Sequence, residues 1–171
     1  MKKISQILAL IFAFFAFPVF ATVQWSLIAD KIIIESETDS YGDQLYFFII
    51  EQHNGVADHF ISVPSFPFSY TKHNLASFES VVVWTKTLED QSDVKVIVSL
   101  FDREALPWVP DELIGSFFIN FDNPNAVPHW SSMGDECILD PAHAADLKQE
   151  VNFHQGSGKY KIMFHLEKVD K

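Results

Sequence analysis

Cysteine is nearly missing from this chain. Cys137 stands alone among 171 residues, so no disulfide can form within it. A lone thiol is by habit a small buried group, and nothing near Cys137 forms a base-and-orienter set, so burial is the expectation. Positive charge is scarce too. Lys and Arg number 12 against 23 Asp and Glu, a net charge of −11, which repels nucleic acid and bare anionic membranes and draws cations and basic partners. Beyond the leader described below, no apolar run nears the roughly 20 residues that a membrane-spanning helix needs. Gly-x-Ser-x-Gly, His-Glu-x-x-His and phosphate-loop patterns are absent, which removes familiar signatures of serine hydrolases, zinc proteases and nucleotide enzymes. The seven histidines (His53, His59, His73, His129, His143, His154 and His165) are scattered, with no helical i, i+4 pair. Surface or hydrogen-bonded histidines are expected rather than metal ligands.

What is present begins with a leader. Lys2 and Lys3 open the chain, Ile7 to Phe17 is apolar, Pro18 interrupts, and Val19-Phe20-Ala21 is a small-residue cleavage site. This is the pattern of a secretory signal peptide, residues 1–21, and it predicts a mature chain from Thr22 that is secreted or periplasmic. Taking away the two lysines leaves 10 basic against 23 acidic residues, a net −13. Residues 22–171 have the size of one domain.

The body reads as β. Gln24 to Ile34 is a long strand, with Trp25, Leu27 and Ile33 in one phase and Ile28, Ile32 and Ile34 in the other. Leu45 to Ile50 is apolar on both faces and suits a central strand. His53-Asn54-Gly55 is a turn. Phe60 to Val63 and Phe78 to Thr87 follow, and Pro64 and Pro67 after the former argue for an edge. Lys159 to Val169 alternates cleanly, with Tyr160, Ile162, Phe164 and Leu166 on one face. Pro141 to Gln149, with Asp140 as N-cap, predicts one short helix before the last strand. Asp122 to Cys137 reads as a surface loop. The sum is an all-β chain, an antiparallel β-sandwich with one short helix.

The stretch Val94 to Phe121 carries the chemistry. Val94, Val96, Val98 and Leu100 line one face of a strand, and Leu113, Phe117, Ile119 and Phe121 line one face of the next, around Gly115. Between them lie Asp102, Glu104, Asp111 and Glu112. Four carboxylates in one loop are costly unless they are well solvated or share a cation. Asp39 and Asp43 sit in an earlier loop. If both loops lie at one end of the sandwich, their oxygens can converge on calcium, which takes six to eight such ligands. The tip between the acids, Ala105 to Pro110, is apolar and holds Leu106, Trp108 and Val109. An exposed tryptophan there suits a membrane interface or a protein-binding hot spot.

These motifs resemble the C-two domain, the calcium-dependent lipid-binding family. The resemblance rests on Leu100-Phe101-Asp102, the acidic loop, and Asp111-Glu112-Leu113-Ile114-Gly115. Asp39-Ser40-Tyr41-Gly42-Asp43 followed by Tyr46 and Phe47 looks like that family's first calcium loop. It implies that Asp102 matches the first aspartate of the third loop, Glu104 the second, and Glu112 the acid before the Ile-Gly pair. The chain departs from the pattern where Leu45 replaces an aspartate and where loop three reads Asp-x-Glu. The implied cofactor is calcium.

Three readings of function follow. The first is an exported, non-enzymatic module that binds a membrane lipid through a calcium-supported loop end. The second is a metal-free β-sandwich that binds a protein or glycan partner. The third is a hydrolase that uses a carboxylate pair.

Overall fold

The computed structural model of the protein describes residues 22–39, 42–89, 93–106 and 108–170. The expected leader lies outside them, as do Ser40, Tyr41 and Pro107 of the two acidic loops. Among the described residues ten strands form: β1 (Val23–Ser36), β2 (Leu45–His53), β3 (Val56–Val63), β4 (Val81–Leu88), β5 (Val94–Asp102), β6 (Glu112–Phe121), β7 (His129–Met133), β8 (Cys137–Leu139), β9 (Lys148–Gln155) and β10 (Gly158–Asp170). They pair into two five-stranded antiparallel sheets, ordered β4-β1-β10-β9-β8 and β3-β2-β5-β6-β7. The expected sandwich is therefore the fold. Among the described residues no helix is long and apolar enough to cross a membrane.

The core lies between the sheets and comes from strand alternation. Leu45, Phe47 and Ile49 of β2 face Val94, Val96, Val98 and Leu100 of β5 and Phe117, Ile119 and Phe121 of β6, all buried. From the other sheet come Trp25, Leu27, Val151, Phe153, Tyr160, Ile162 and Phe164. The three buried tryptophans each find an acceptor for the indole N–H: Trp25 on the Pro124 carbonyl at 3.0 Å, Trp84 on Glu51 at 2.9 Å and Trp130 on the Asp146 carbonyl at 2.8 Å. Cys137 is buried in this core, and burial pushes its thiol up to about 12. β3 is an edge strand, as its following prolines indicated. The Asn54–Gly55 turn between β2 and β3 has φ of +49° and +78°, the geometry of a two-residue hairpin turn.

Two bulges change the expected phases. In β1 the register shifts between Ala29 and Lys31, so Trp25, Leu27 and Ala29 and then Ile32 and Ile34 face the core. Ile33 does not share the phase of Trp25 and Leu27, because the extra residue inverts the alternation. In β6 the register shifts where Leu100 pairs Gly115 but Phe101 pairs Leu113. Ile114 turns inward, and Leu113, expected inside, is 49% exposed.

Two further expectations are corrected. Pro141 to Gln149 is not a helix. Asp140 caps only one 3₁₀ turn, Pro141–His143, accepting from the Ala142 amide at 2.9 Å. Lys148–Gln155 is then β9, because Gln149, Val151 and Phe153 alternate inward with a strand's period of two. Nor is Asp122 to Cys137 a loop throughout. It contains β7, whose Trp130 stacks on Phe117 at 5.6 Å, and it ends at the first residue of β8.

The topology fixes the two ends of the sandwich. Leu45 pairs with Asp102, Asp102 with Glu112, and a bridge ties Leu45 to Tyr70. Three connections therefore meet at one end: β1–β2, the segment after β3, and β5–β6. His53, Val94 and Phe121 mark the other end.

Gly115 lies under the β7–β8 connection. A Cβ there would sit 3.1 Å from the Glu136 carbonyl oxygen and 3.0 Å from the Phe153 ring. Gly115→Ala is expected to destabilise the protein by about 1–3 kcal/mol through overpacking against backbone. A lower urea midpoint with an unchanged slope checks it.

Candidate functional site

Asp43 organises the β1–β2 loop. Its carboxylate is 1% exposed and accepts the Thr38 amide at 3.0 and 3.2 Å, the Asp39 amide at 3.0 Å and the Tyr160 hydroxyl. Burial and Asp43 hold the Tyr160 phenol well above its ordinary range, so it stays a donor. The loop thus curls around a carboxylate and is tied to β10.

Asp102, the last residue of β5, lies beside it and is 4% exposed. Its Oδ1 accepts the Gln44 amide at 2.6 Å. Carboxylate oxygens of Asp39, Asp43 and Asp102 all lie within 4.8 Å of one another. Burial pushes the Asp102 carboxyl up to about 7; the Gln44 amide opposes the shift, and Asp43, Asp39 and Glu104 add to it. A cleft lined by Gly42, Asp43, Gln44, Thr71 and His73 opens alongside.

The other predicted acids are placed differently. Glu104 is near enough to raise the Asp102 carboxyl, but the converging oxygens belong to the three aspartates. Asp111 closes the base of the β5–β6 loop, with Oδ1 accepting the Glu104 amide at 3.1 Å and Oδ2 the Tyr46 hydroxyl at 2.8 Å. Glu112 accepts from the Gln155 side chain at 2.6 Å and faces solvent. The three aspartates offer oxygen donors alone, two of them withdrawn from bulk water, the donor type that a hard cation takes. Asp39 and Asp102 would hold such a cation, with Asp43 shaping the loop between them.

Above the acids stands an apolar rim. Trp108 is 75% exposed, and Leu106 and Val109 are exposed beside it. The Val109 amide donates to the Leu106 carbonyl at 3.0 Å, which turns the tip. Phe66 and Phe68, after β3, are exposed at the same end. Arg103 joins the two segments. Its guanidinium lies 4.6 Å from the Tyr46 ring and 5.3 Å from the Phe66 ring, within cation–π reach. Its Nη1 donates to the Phe68 carbonyl at 2.7 Å, and its backbone amide to the Gln44 carbonyl at 2.9 Å.

Sequence reasoning missed Arg103, Phe66 and Phe68. Pro64 and Pro67, which flank Phe66 and precede Phe68, were the one signal for the phenylalanines, since prolines keep a segment out of a central strand. It also missed a mixed cluster at the other end, where ligand atoms of Glu51, His53 and Asp58 converge within 4.8 Å.

No protein-family model and no curated protein sequence matches the chain. Among solved structures it is similar to "Structure of Drosophila C2-DSL-EGF1", at 9% identity and a TM-score of 0.39, over 84% of this chain and 67% of that one.

The Asp102 carboxyl generates a pH prediction. Its folded value, about 7, lies above the ordinary 3.8. The stability it contributes is present below pH 4 and is lost as pH rises through 7 in the absence of a bound cation. Glu51, lowered to about 2, acts oppositely and only below about pH 4.5. In EDTA, Asp102→Asn is therefore expected to flatten the fall in urea stability between pH 4.5 and 7.5. An unchanged fall would remove Asp102 as its cause.

Proposed function

We propose that this protein is an exported, non-enzymatic binding module whose loop end docks on a lipid membrane with the support of calcium. One observation carries the reading. The same end of the sandwich holds three converging aspartates and, on two segments joined by Arg103, the exposed side chains Leu106, Trp108, Val109, Phe66 and Phe68. Isolated surface apolar residues need no explanation, but a cluster at one end marks an interaction site.

The residues divide the work. Trp108 supplies an amphipathic ring suited to the headgroup level, and Leu106, Val109, Phe66 and Phe68 supply apolar area. Asp39 and Asp102 would hold calcium, which supplies positive charge where the chain itself is strongly acidic. Arg103 holds the β5–β6 loop to the Phe66–Phe68 segment, so that the apolar groups are presented together. Asp43 and Tyr160 fix the floor.

A second reading, a protein or glycan partner bound without metal, is favoured by the outer face of the second sheet. Phe60 stacks near Phe48 at 6.2 Å, Phe48 meets Phe101 at 6.2 Å, and Phe101 stacks on Tyr46 at 5.5 Å. This aromatic row leads toward Arg103 and would suit a flat partner.

Thermal melts in EDTA and in millimolar calcium separate the two. A ligand at a hundredfold excess over Kd adds about 2.7 kcal/mol to stability, several degrees for a domain of this size. The expected result is an upward shift that Asp102→Asn abolishes; no shift favours the metal-free reading. On zwitterionic and mixed anionic vesicles, Trp108→Ala is expected to weaken calcium-dependent sedimentation by about tenfold or more, since a buried aromatic is worth roughly 1.5–3 kcal/mol. Binding that is indifferent to calcium would remove the ion from the mechanism, and binding indifferent to Trp108 would remove the tip.

A further inference from the structure

We propose that Glu51, His53 and Asp58 form a binding site for a divalent transition metal, zinc foremost, at the end of the sandwich opposite the aspartates. The site does not rest on the calcium reading. Along β2 it stands six to eight residues from Leu45, which is about 20 Å or more at a strand's rise.

The backbone assembles the donors. Glu51 and His53 are two apart on β2 and so share a face. Asp58 returns on β3 across the Asn54–Gly55 turn. The β2–β3 register jumps from Glu51↔His59 to Gln52↔Ala57, which leaves Asp58 as the extra residue of a bulge. Bulges re-aim a side chain, and here Asp58 is brought to His53. His53 Nε2 is 2.7 Å from Glu51 Oε1 and 3.7 Å from Asp58 Oδ2. Donors at about 2.0–2.2 Å from a tetrahedral zinc lie roughly 3.3–3.5 Å apart, so the three need only small side-chain movements to surround one. One imidazole with two carboxylates is a zinc-type set, unlike the all-oxygen set at the other end.

The surroundings fit a cation. Glu51 is 2% exposed and already holds one: Lys86 Nζ lies 2.6 Å from Oε1. The other oxygen, Oε2, accepts the Trp84 indole N–H at 2.9 Å, which orients the carboxylate as an outer partner orients a metal ligand. Lys86, the Trp84 indole and His53 thus all converge on the one buried carboxylate, which leaves it facing cationic and donor groups rather than bulk water. Lys86 is partly exposed on a long flexible stem. It can swing into solvent, still protonated, as the metal takes its place. Lys86 is then a competitor for Glu51, which gives the proposal an unusual sign: removing a charge partner strengthens binding.

The test is calorimetric titration of zinc into the purified protein in millimolar calcium, repeated in Asp102→Asn. One zinc per chain is expected in both. His53→Ala and Asp58→Asn, on partly or largely exposed side chains, are each expected to weaken binding by about tenfold or more. Lys86→Met is expected to tighten it by about tenfold, and zinc is expected to raise the Lys86→Met melting midpoint further than that of the unaltered protein. Zinc affinity unmoved by His53→Ala and Asp58→Asn overturns the proposal, as does a folded Lys86→Met protein that binds no better. Should Lys86→Met fail to fold, the two exposed variants decide. Loss of zinc binding in Asp102→Asn would assign the metal to the aspartates instead and overturn this site while leaving the other intact.

Discussion

A buried carboxylate, that of Asp43, holds one end of this sandwich in shape. An isolated charge withdrawn from water costs several kcal/mol unless hydrogen bonds replace the solvent. Asp43 receives them from the Thr38 and Asp39 amides and from the Tyr160 hydroxyl, which also meets Thr38 Oγ1 at 2.8 Å. Thr38 and Asp39 follow β1, Tyr160 belongs to β10, and Asp43 leads into β2. One side chain therefore ties the crossing between the sheets. With that crossing fixed, Leu45 pairs with Asp102 and the β5–β6 loop has its base beside the β1–β2 loop. The proximity of Asp39 to Asp102, which no sequence spacing requires, follows from this arrangement.

β2 links the two candidate ends by alternation alone. Its inward residues are Leu45, Phe47, Ile49 and Glu51, so the step that follows three core residues is a carboxylate. Glu51 is tolerated there because Lys86 and Trp84 of β4, on the opposite sheet, close over it. The same strand thus ends beside an acidic cluster at Leu45 and in a neutralised acid at Glu51. At the first end burial, with crowded like charges added, drives Asp102 toward protonation; at the second a cation is built in and Glu51 is held ionised.

Strand periodicity was the legible part of the fold. The alternation of β10, the double-sided apolarity of β2 and the turn at Asn54–Gly55 each follow from residue type and spacing. What sequence could not place were the bulges, because an inserted residue leaves no compositional mark. Leu113 and Ile33 changed faces for that reason. β9 was hidden by Asp140-Pro141, a sound helix start that the sheet overrides after one turn, when Val151 and Phe153 are claimed by the core. Of the site, the acids and the Trp108 tip were legible as types. Their sorting was not: that Asp111 caps its own loop while Asp102 faces Asp39 depends on backbone direction. The Glu51–His53–Asp58 group escaped a search at helical spacing, although on a strand i, i+2 is the spacing that brings two side chains together.

The exposed apolar rim and the acidity of the chain set opposite demands, and their resolution constrains any partner. Each large side chain of the rim gains roughly 1.5–3 kcal/mol on leaving water, so the five apolar residues together suffice for measurable association. The net charge of −11 opposes approach to anything anionic, and more so without Lys2 and Lys3. Arg103 keeps its charge, because its partners Tyr46, Phe66 and the Phe68 carbonyl are all neutral, but it is already counted in that net −11 and one cation does not reverse it. A partner that covers the rim must therefore be uncharged or basic, or a cation must come with it. The three aspartates stand where such a cation would be held, and Asp102, tuned to about 7, is the group that would have to lose its proton to receive it. On the proposed reading, apolar contact supplies affinity, while the state of one buried carboxylate decides whether an anionic surface can be approached at all.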